Sequence, residues 1–203
     1  MNEMPAKLKA RAERKNAKRE EKKRQIAESA IEALKGLGYA NTSLRDIAEK
    51  SDLSLGMLHY YFEDKTDLII HCVEIYKEIF VANVQEALDK ADGREAVIER
   101  FSQALVASIV DDEMIHRLWY DIRNQAMFDE AFRPAVAEIE QKLINIVRLA
   151  FAKAGHAKPQ NVELSYALLD GAFRYLMQGQ IGPDRQPRDV LLQSFRGLLD
   201  RFL

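Results

Sequence analysis

The sequence lacks most of what would mark a secreted, membrane-bound or catalytic chain. Its 203 residues include a single cysteine, Cys72, which excludes an internal disulfide framework and suits a reducing cytoplasm. The ordinary use of such a residue is as a small buried hydrophobe on a helix. No apolar run approaches the roughly 18 residues of a membrane span, and the basic N-terminus has no apolar segment behind it. Neither a membrane span nor a signal peptide is expected, and the location expected is cytoplasmic. His71, His116 and His156 are scattered, with no two at the spacing of a helical metal pair. There is no G-x-S-x-G, no Gly-rich phosphate loop and no dinucleotide fingerprint. The expectation is therefore no metal, no cofactor and no enzymatic reaction.

What is present begins with charge. The net charge is only −2, which by itself argues against a nucleic-acid partner. The distribution argues the other way. Residues 1–24 hold ten Lys/Arg and four Asp/Glu, a local +6, and the remainder carries 20 basic and 28 acidic residues, or −8. A basic head on an acidic body is the asymmetry of a chain whose N-terminal end meets phosphate. Alanine, lysine, arginine and glutamate are good helix formers, so the head is a frayed helical extension without an apolar face to dock. It tracks phosphates or serves only as a solvated tail; composition leaves both open.

The most informative stretch is SLRDIAEKSDLSLGMLHYYF, residues 43–62. On a helical wheel Leu44, Ile47, Ala48 and Ser51 share one face of a first short helix, with Thr42 and Ser43 as capping residues. A second begins at Ser54 and buries Leu55, Leu58 and Phe62 on one stripe. Gly56, Met57, Tyr60 and Tyr61 then face away from the core. Outward aromatics and a methionine are costly to leave in water and call for a partner. Ala48 lets the helices cross closely, which is the sequence form of a helix-turn-helix whose second helix enters the DNA major groove. The same spacing also fits an αα-corner in a helical interaction or structural protein. A helix over about residues 20–37, with Ile26, Ala30, Leu34 and Leu37 as its stripe, ends at Gly36 and Gly38 and completes a three-helix unit.

The run TSLRDIAEKSDLSLGMLHYYFEDKTDL, residues 42–68, closely resembles the DNA-binding signature of the tetracycline-repressor (TetR) family of bacterial transcription regulators. The resemblance implies an all-α chain with a basic tail at 1–19, a DNA-binding domain at 20–66 and a helical ligand-binding and dimerisation domain at 67–203. It implies a homodimeric repressor that binds a palindromic operator in double-stranded DNA and is released by a small-molecule effector. Thr42, Ser43, Arg45, Ser54, Leu55, Gly56, Met57, His59, Tyr60, Tyr61 and Lys65 are then the DNA-contacting set, with Lys65 a phosphate clamp. Two positions depart from the family pattern: Asp52 stands where glycine is usual, and His59 where tyrosine is frequent. Aspartate tolerates the left-handed turn conformation better than most residues.

Beyond Asp64 the chain reads as helix, over about 66–90, 94–110, 113–126, 129–154, 159–178 and 187–202. Stripes run through Ile98, Phe101, Leu105 and Ile109, then Met114, Leu118, Trp119, Ile122 and Met127, then Val136, Ile139, Leu143, Ile146 and Ala150. Trp119, Tyr120, Arg123, Phe128, Phe173, Tyr175 and Met177 are the richest aromatic-polar mixture and are the expected pocket, though plain core packing accounts for the same residues. Arg123 and Arg174 would favour an anionic or carbonyl-bearing ligand. The stretch IHRLWYDIRNQAMFDEAFRP resembles the choline-responsive branch of the family without fixing a ligand. Leu164, Leu168, Gly171 and Tyr175 on one helix, and Leu191, Phe195, Leu198 and Phe202 on the last, are expected to pair with their copies across a dimer interface.

Overall fold

The computed structural model describes residues 6–37, 42–50, 52–157 and 159–203, without side chains for 6–13, 35–37, 113 and 114. Gly38 and Ser51, and the side chains of Leu37 and Met114, lie outside the described residues. The described residues are all-α, without a strand. Two compact units divide at Ile75/Tyr76, later than the 66/67 boundary read from the sequence, so that the first unit takes in the start of the fourth helix.

In the first unit α1 spans Ala6–Leu37, α2 Leu44–Lys50 and α3 Leu55–Tyr61. α4, Lys65–Asp89, begins there and continues into the second unit. α1 starts fourteen residues before the expected start at residue 20, because the basic head is built from residues of high helix propensity. From Arg14 to Gln25 its side chains are exposed or half-exposed. Burial begins at Ile26, Ala27, Ala30 and Leu34, which close a core with Ile47, Ala48, Leu58, Phe62, Leu68 and Val73. Each large side chain among these stabilises by roughly 1.5–3 kcal/mol. Cys72 is fully buried in this core with its thiol directed at the Ala27 carbonyl, 3.5 Å away, and burial pushes the thiol pKa up. It is a core residue.

The turn after α2 explains Asp52. Its φ is 51°, and the Leu53 amide bonds the Ala48 carbonyl at 2.9 Å while the Asp52 amide reaches that of Glu49 at 3.4 Å. That pair of bonds is a Schellman motif with Asp52 in the left-handed position where glycine is least strained. Asp52→Gly is therefore expected to raise the urea midpoint of the first unit by the equivalent of about 0.5–1 kcal/mol, read by amide circular dichroism, with DNA affinity unchanged. A midpoint that stays put or falls would show that the aspartate side chain compensates for its backbone.

The second unit holds the rest of α4, then α5 (Arg94–Asp111), α6 (Glu113–Gln125), α7 (Arg133–Lys153), α8 (Val162–Gln178) and α9 (Arg188–Leu199), with a 3-10 turn at Glu130–Phe132 before α7. The expected stripes of α5 and α7 are buried throughout, and so are Leu118, Trp119 and Ile122 of α6. Met127 is instead 65% exposed, because α6 has already ended. α9 corrects a second expectation. Leu191 and Phe195 are fully buried inside the unit, packing toward α5 and α8 rather than lying on a subunit interface. A stripe of large residues serves a core and an interface equally well, so periodicity could not separate the two. Leu198 and Phe202 are half-buried, and Phe202 sits 6.1 Å from Phe151, ring to ring. α8 shows the opposite. Leu164, Leu168 and Tyr175 are exposed by 58%, 54% and 71%, while its core face is Tyr166, Leu169, Phe173, Leu176 and Met177.

Candidate nucleic-acid interface and effector cavity

The α2–α3 pair is built by two side-chain caps. At α2 the Ser43 amide and hydroxyl both donate to Asp46 Oδ2, at 2.7 and 2.6 Å, and the Asp46 amide returns a bond to Ser43 Oγ at 3.2 Å. This is a reciprocal capping box, and the Ser43 bonds hold the Asp46 carboxyl below its ordinary range. At α3 Ser54 Oγ accepts from the Met57 amide at 3.1 Å. These caps fix the rotation of α3. Leu58 and Phe62 point inward with almost no exposure, while Met57 and Tyr60 are 39% and 70% exposed. Gly56 and His59 are exposed beside them. Tyr61 is half-buried with its ring edge-on to Tyr60 at 4.9 Å, so the two rings brace each other. A Cβ built on Gly56 would meet nothing within 4 Å, so packing inside the chain does not require a glycine there.

Of the remaining expected contacts, Arg45 is exposed and Leu55 half-buried. Ser43 is exposed, with its hydroxyl engaged by Asp46. Thr42 is the exception, buried at 3% exposure; it closes the core behind the cap and does not face outward. Lys65 opens α4 half-buried, where burial lowers its pKa and the Asp46 charge opposes that fall. Lys23 from α1 lies 5.1 Å above the Phe62 ring and buttresses the end of α3.

The second unit holds a partly open cavity with about 50 Å³ of room. α4 lines it with Lys77 and Phe80, α5 with Phe101 and Leu105, α6 with His116 and Tyr120. α7 adds Leu143, Ile146 and Val147, and α8 adds Tyr166, Leu169, Asp170 and Phe173. Lys77 is only 3% exposed. Its ammonium lies over the rings of Trp119 at 4.9 Å, Phe80 at 5.0 Å and Tyr76 at 5.7 Å. Burial pushes its pKa down to about 7, with Asp170 opposing and Arg123 adding to the fall. His116 Nε2 sits between the hydroxyls of Tyr76 and Ser108, at 2.8 and 2.6 Å. Burial, and then the Lys77 charge, keep that imidazole neutral. Asp170 accepts from Arg123 and, at 3.0 Å, from the Tyr120 hydroxyl, while Arg123 also pairs with Glu140 at 2.7 Å. Burial weakens the Arg123 charge and Asp170 more than restores it, so its pKa lies above the ordinary value.

A lysine that is protonated when unfolded up to about pH 10.5, but that loses its proton near pH 7 when folded, makes stability depend on pH. Between pH 7 and the ordinary lysine value of 10.5 the unfolded chain binds the extra proton, so folding is favoured as pH rises through that window. Unfolding of the second unit is expected to grow harder from pH 7 to 9, by up to about 1.4 kcal/mol per pH unit, and Lys77→Met should flatten that slope. An unchanged slope in the variant would assign the dependence to other groups.

Residues 26–72 match the family model described as "Bacterial regulatory proteins, tetR family". These residues form a TetR-family DNA-binding domain. Among curated relatives it is 24% identical over 183 residues to the HTH-type transcriptional regulator PksA of Bacillus subtilis, covering 85% of this chain and 87% of that one. It is 23% identical over 141 residues to the HTH-type transcriptional regulator BetI of Burkholderia thailandensis, covering 67% and 70%. Among solved structures it is similar to the transcriptional regulator FadR from Bacillus subtilis in complex with stearoyl-CoA, at 17% identity and a TM-score of 0.67, covering 88% and 96%. With that domain the chain is a DNA-binding transcriptional regulator and not an enzyme. Among the described residues no helix is long and apolar enough to cross a membrane.

Within the second unit only part of the expected pocket set reaches the cavity. Tyr120 and Phe173 line it. Trp119 is buried behind it against Lys77, and Arg123 acts on it through Asp170. Phe128 is 85% exposed because it follows the end of α6, and Met177 is core outside the cavity. Tyr175 faces outward, and Arg174 lies over the Tyr120 ring at 5.3 Å. Lys77, Phe80, His116, Tyr166 and Asp170 were missed. Lys77 did leave a signal, since it falls in the register Val73, Lys77, Phe80, Val84 of an otherwise apolar core stripe.

Proposed function

We propose that this TetR-family regulator is a homodimeric repressor that binds a palindromic operator through α3 and is released by a small molecule held in the body. The observation that carries the DNA half is the outward face of α3, where Gly56, Met57, His59 and Tyr60 are exposed while Leu58 and Phe62 are buried. Gly56 and Met57 lie at the start of the helix, where a recognition helix meets base edges. Arg45, Ser43, Tyr61 and Lys65 surround them as phosphate partners, and the basic stretch of α1 adds sequence-independent attraction. Selection of bound sequences from random duplex DNA is expected to return an inverted repeat, its half-sites about one helical turn, or a multiple, apart. A set of bound sequences without two-fold symmetry would overturn the dimeric reading.

The dimer reading is supported by the exposed stripe Leu164, Leu168 and Tyr175 on α8, interrupted by Gly171, where a Cβ would meet open space. Large apolar residues flanking a glycine let a second helix approach closely, and two-fold pairing is the common solution for such a self-complementary face. Leu168→Glu is expected to sediment as a monomer and to lose cooperative operator binding, with the helical content of the parent. A variant that remains dimeric would move the interface away from this stripe. The effector reading is supported by the apolar cavity with its few convergent polar groups, and by the ligand named in the FadR complex. α4 carries Lys65 near its start and Lys77 in the cavity wall, so a ligand that shifts α4 alters the operator fit of α3.

A further inference from the structure

We propose that the cavity beside Lys77 takes a small monocarboxylate with a short apolar tail, its carboxylate paired with the Lys77 ammonium and its tail against Phe101, Leu105 and Ile146. This rests on the effector reading above and names the chemistry of that effector. The starting point is a buried cation held by rings rather than by a carboxylate. The nearest candidate counter-ion, Asp170, is committed to Arg123 and the Tyr120 hydroxyl and reaches Lys77 only through its field. Burying a charge is expensive unless it is paired, so Lys77 is an expense the fold alone does not explain.

Two more groups at the cavity lack partners. Tyr166 Oη and His116 Nδ1 are buried without a hydrogen bond, and both residues line the space. Orphaned polar atoms in a native interior ask for an occupant. A carboxylate has two oxygens and can accept from the ammonium and from the Tyr166 hydroxyl together, whereas an alcohol or amide leaves the charge unneutralised. The His116 imidazole is neutral and offers Lys77 no counter-charge. The groups facing Lys77 are His116 and Arg123 from α6, Asp170 from α8 and Tyr76 on its own helix; α5 and α7 line the cavity with apolar side chains alone. With about 50 Å³ of room in a partly open cavity, the occupant is a short-chain molecule.

Titration calorimetry on the full chain without DNA tests this, using butyrate and its neutral isostere butyramide in two buffers of different ionisation enthalpy. Butyrate is expected to bind at least about tenfold more tightly than butyramide. At pH 8 its binding should take up nearly one proton, because the carboxylate recharges Lys77, and its affinity should be weaker than at pH 6.5. Lys77→Met should lose about tenfold or more in butyrate affinity and all proton uptake, while melting no lower than the parent because no buried charge remains. Tyr166→Phe, which keeps the ring, should weaken butyrate several-fold and serves if Lys77→Met does not fold. Equal affinity for butyrate and butyramide, proton uptake that survives Lys77→Met, or no heat from butyrate at millimolar concentration would each overturn the assignment. Because no DNA is present, these results stand apart from whether the operator is released.

Discussion

Gly56→Ala is expected to fold at least as well as the parent and to bind the selected operator at least about tenfold more weakly. Both halves follow from one position. A methyl group there meets nothing within 4 Å inside the chain, and alanine is favoured over glycine in a helix by up to about 1 kcal/mol. The first unit should therefore melt at the same temperature or slightly higher. In the proposed operator complex the same methyl, on the outer face of α3, occupies the space through which the helix backbone approaches the bases. Tyr60→Ala is the companion, since its 70% exposed ring supports little inside the chain beyond its edge contact with Tyr61. Fluorescence anisotropy on labelled duplex, over a salt series, separates the two: Tyr60→Ala should weaken binding across sequences, Gly56→Ala should act mainly on the selected site. Parent-like affinity in Gly56→Ala would remove the start of α3 from the base-contacting surface.

Asp170→Asn should lower the stability of the second unit by about 2–3 kcal/mol. The carboxylate accepts from Arg123 and Tyr120, and its charge offsets the buried Lys77. Asparagine keeps the shape but leaves Arg123 with Glu140 alone and turns an amide dipole toward two cations. With its counter-charge gone, Lys77 is driven further toward the neutral amine. Trp119 is the sole tryptophan in the sequence and is buried beside Lys77 and Arg123, so its fluorescence reports this unit selectively. A fall of roughly 5–10 °C in the thermal midpoint is the corresponding signal, and an unmoved midpoint would show that Glu140 suffices for Arg123.

How much of this was legible in the sequence divides along local and non-local lines. Caps, stripes and turns are local, and Ser54, the Asp52 turn and the core faces of α5 and α7 were all readable from spacing. The helical head of α1 follows from the propensity of its residues, whereas its apolar stripe marks only the part from about residue 20 onward. The cavity was mostly missed because five helices contribute to it, and no spacing along the chain brings Lys77, His116 and Asp170 together. Phe128 and Met177 were chosen for composition, which carries no direction. The face of α9 is not legible for a related reason: Leu168 of α8 and Leu191 of α9 belong to similar stripes, but one is exposed and the other fully buried, a difference set by what packs on each helix.

The rings around Lys77 have a consequence for what the body rejects. Trp119, Phe80 and Tyr76 form the kind of aromatic box that receives quaternary ammonium compounds in other proteins, yet here the seat is taken by a cation tethered to the chain itself. An incoming amine would have to evict a covalently attached competitor and then sit beside a like charge. On the effector assignment proposed above, the arrangement is a filter by sign, turning away cationic molecules with the same atoms that leave an anion room.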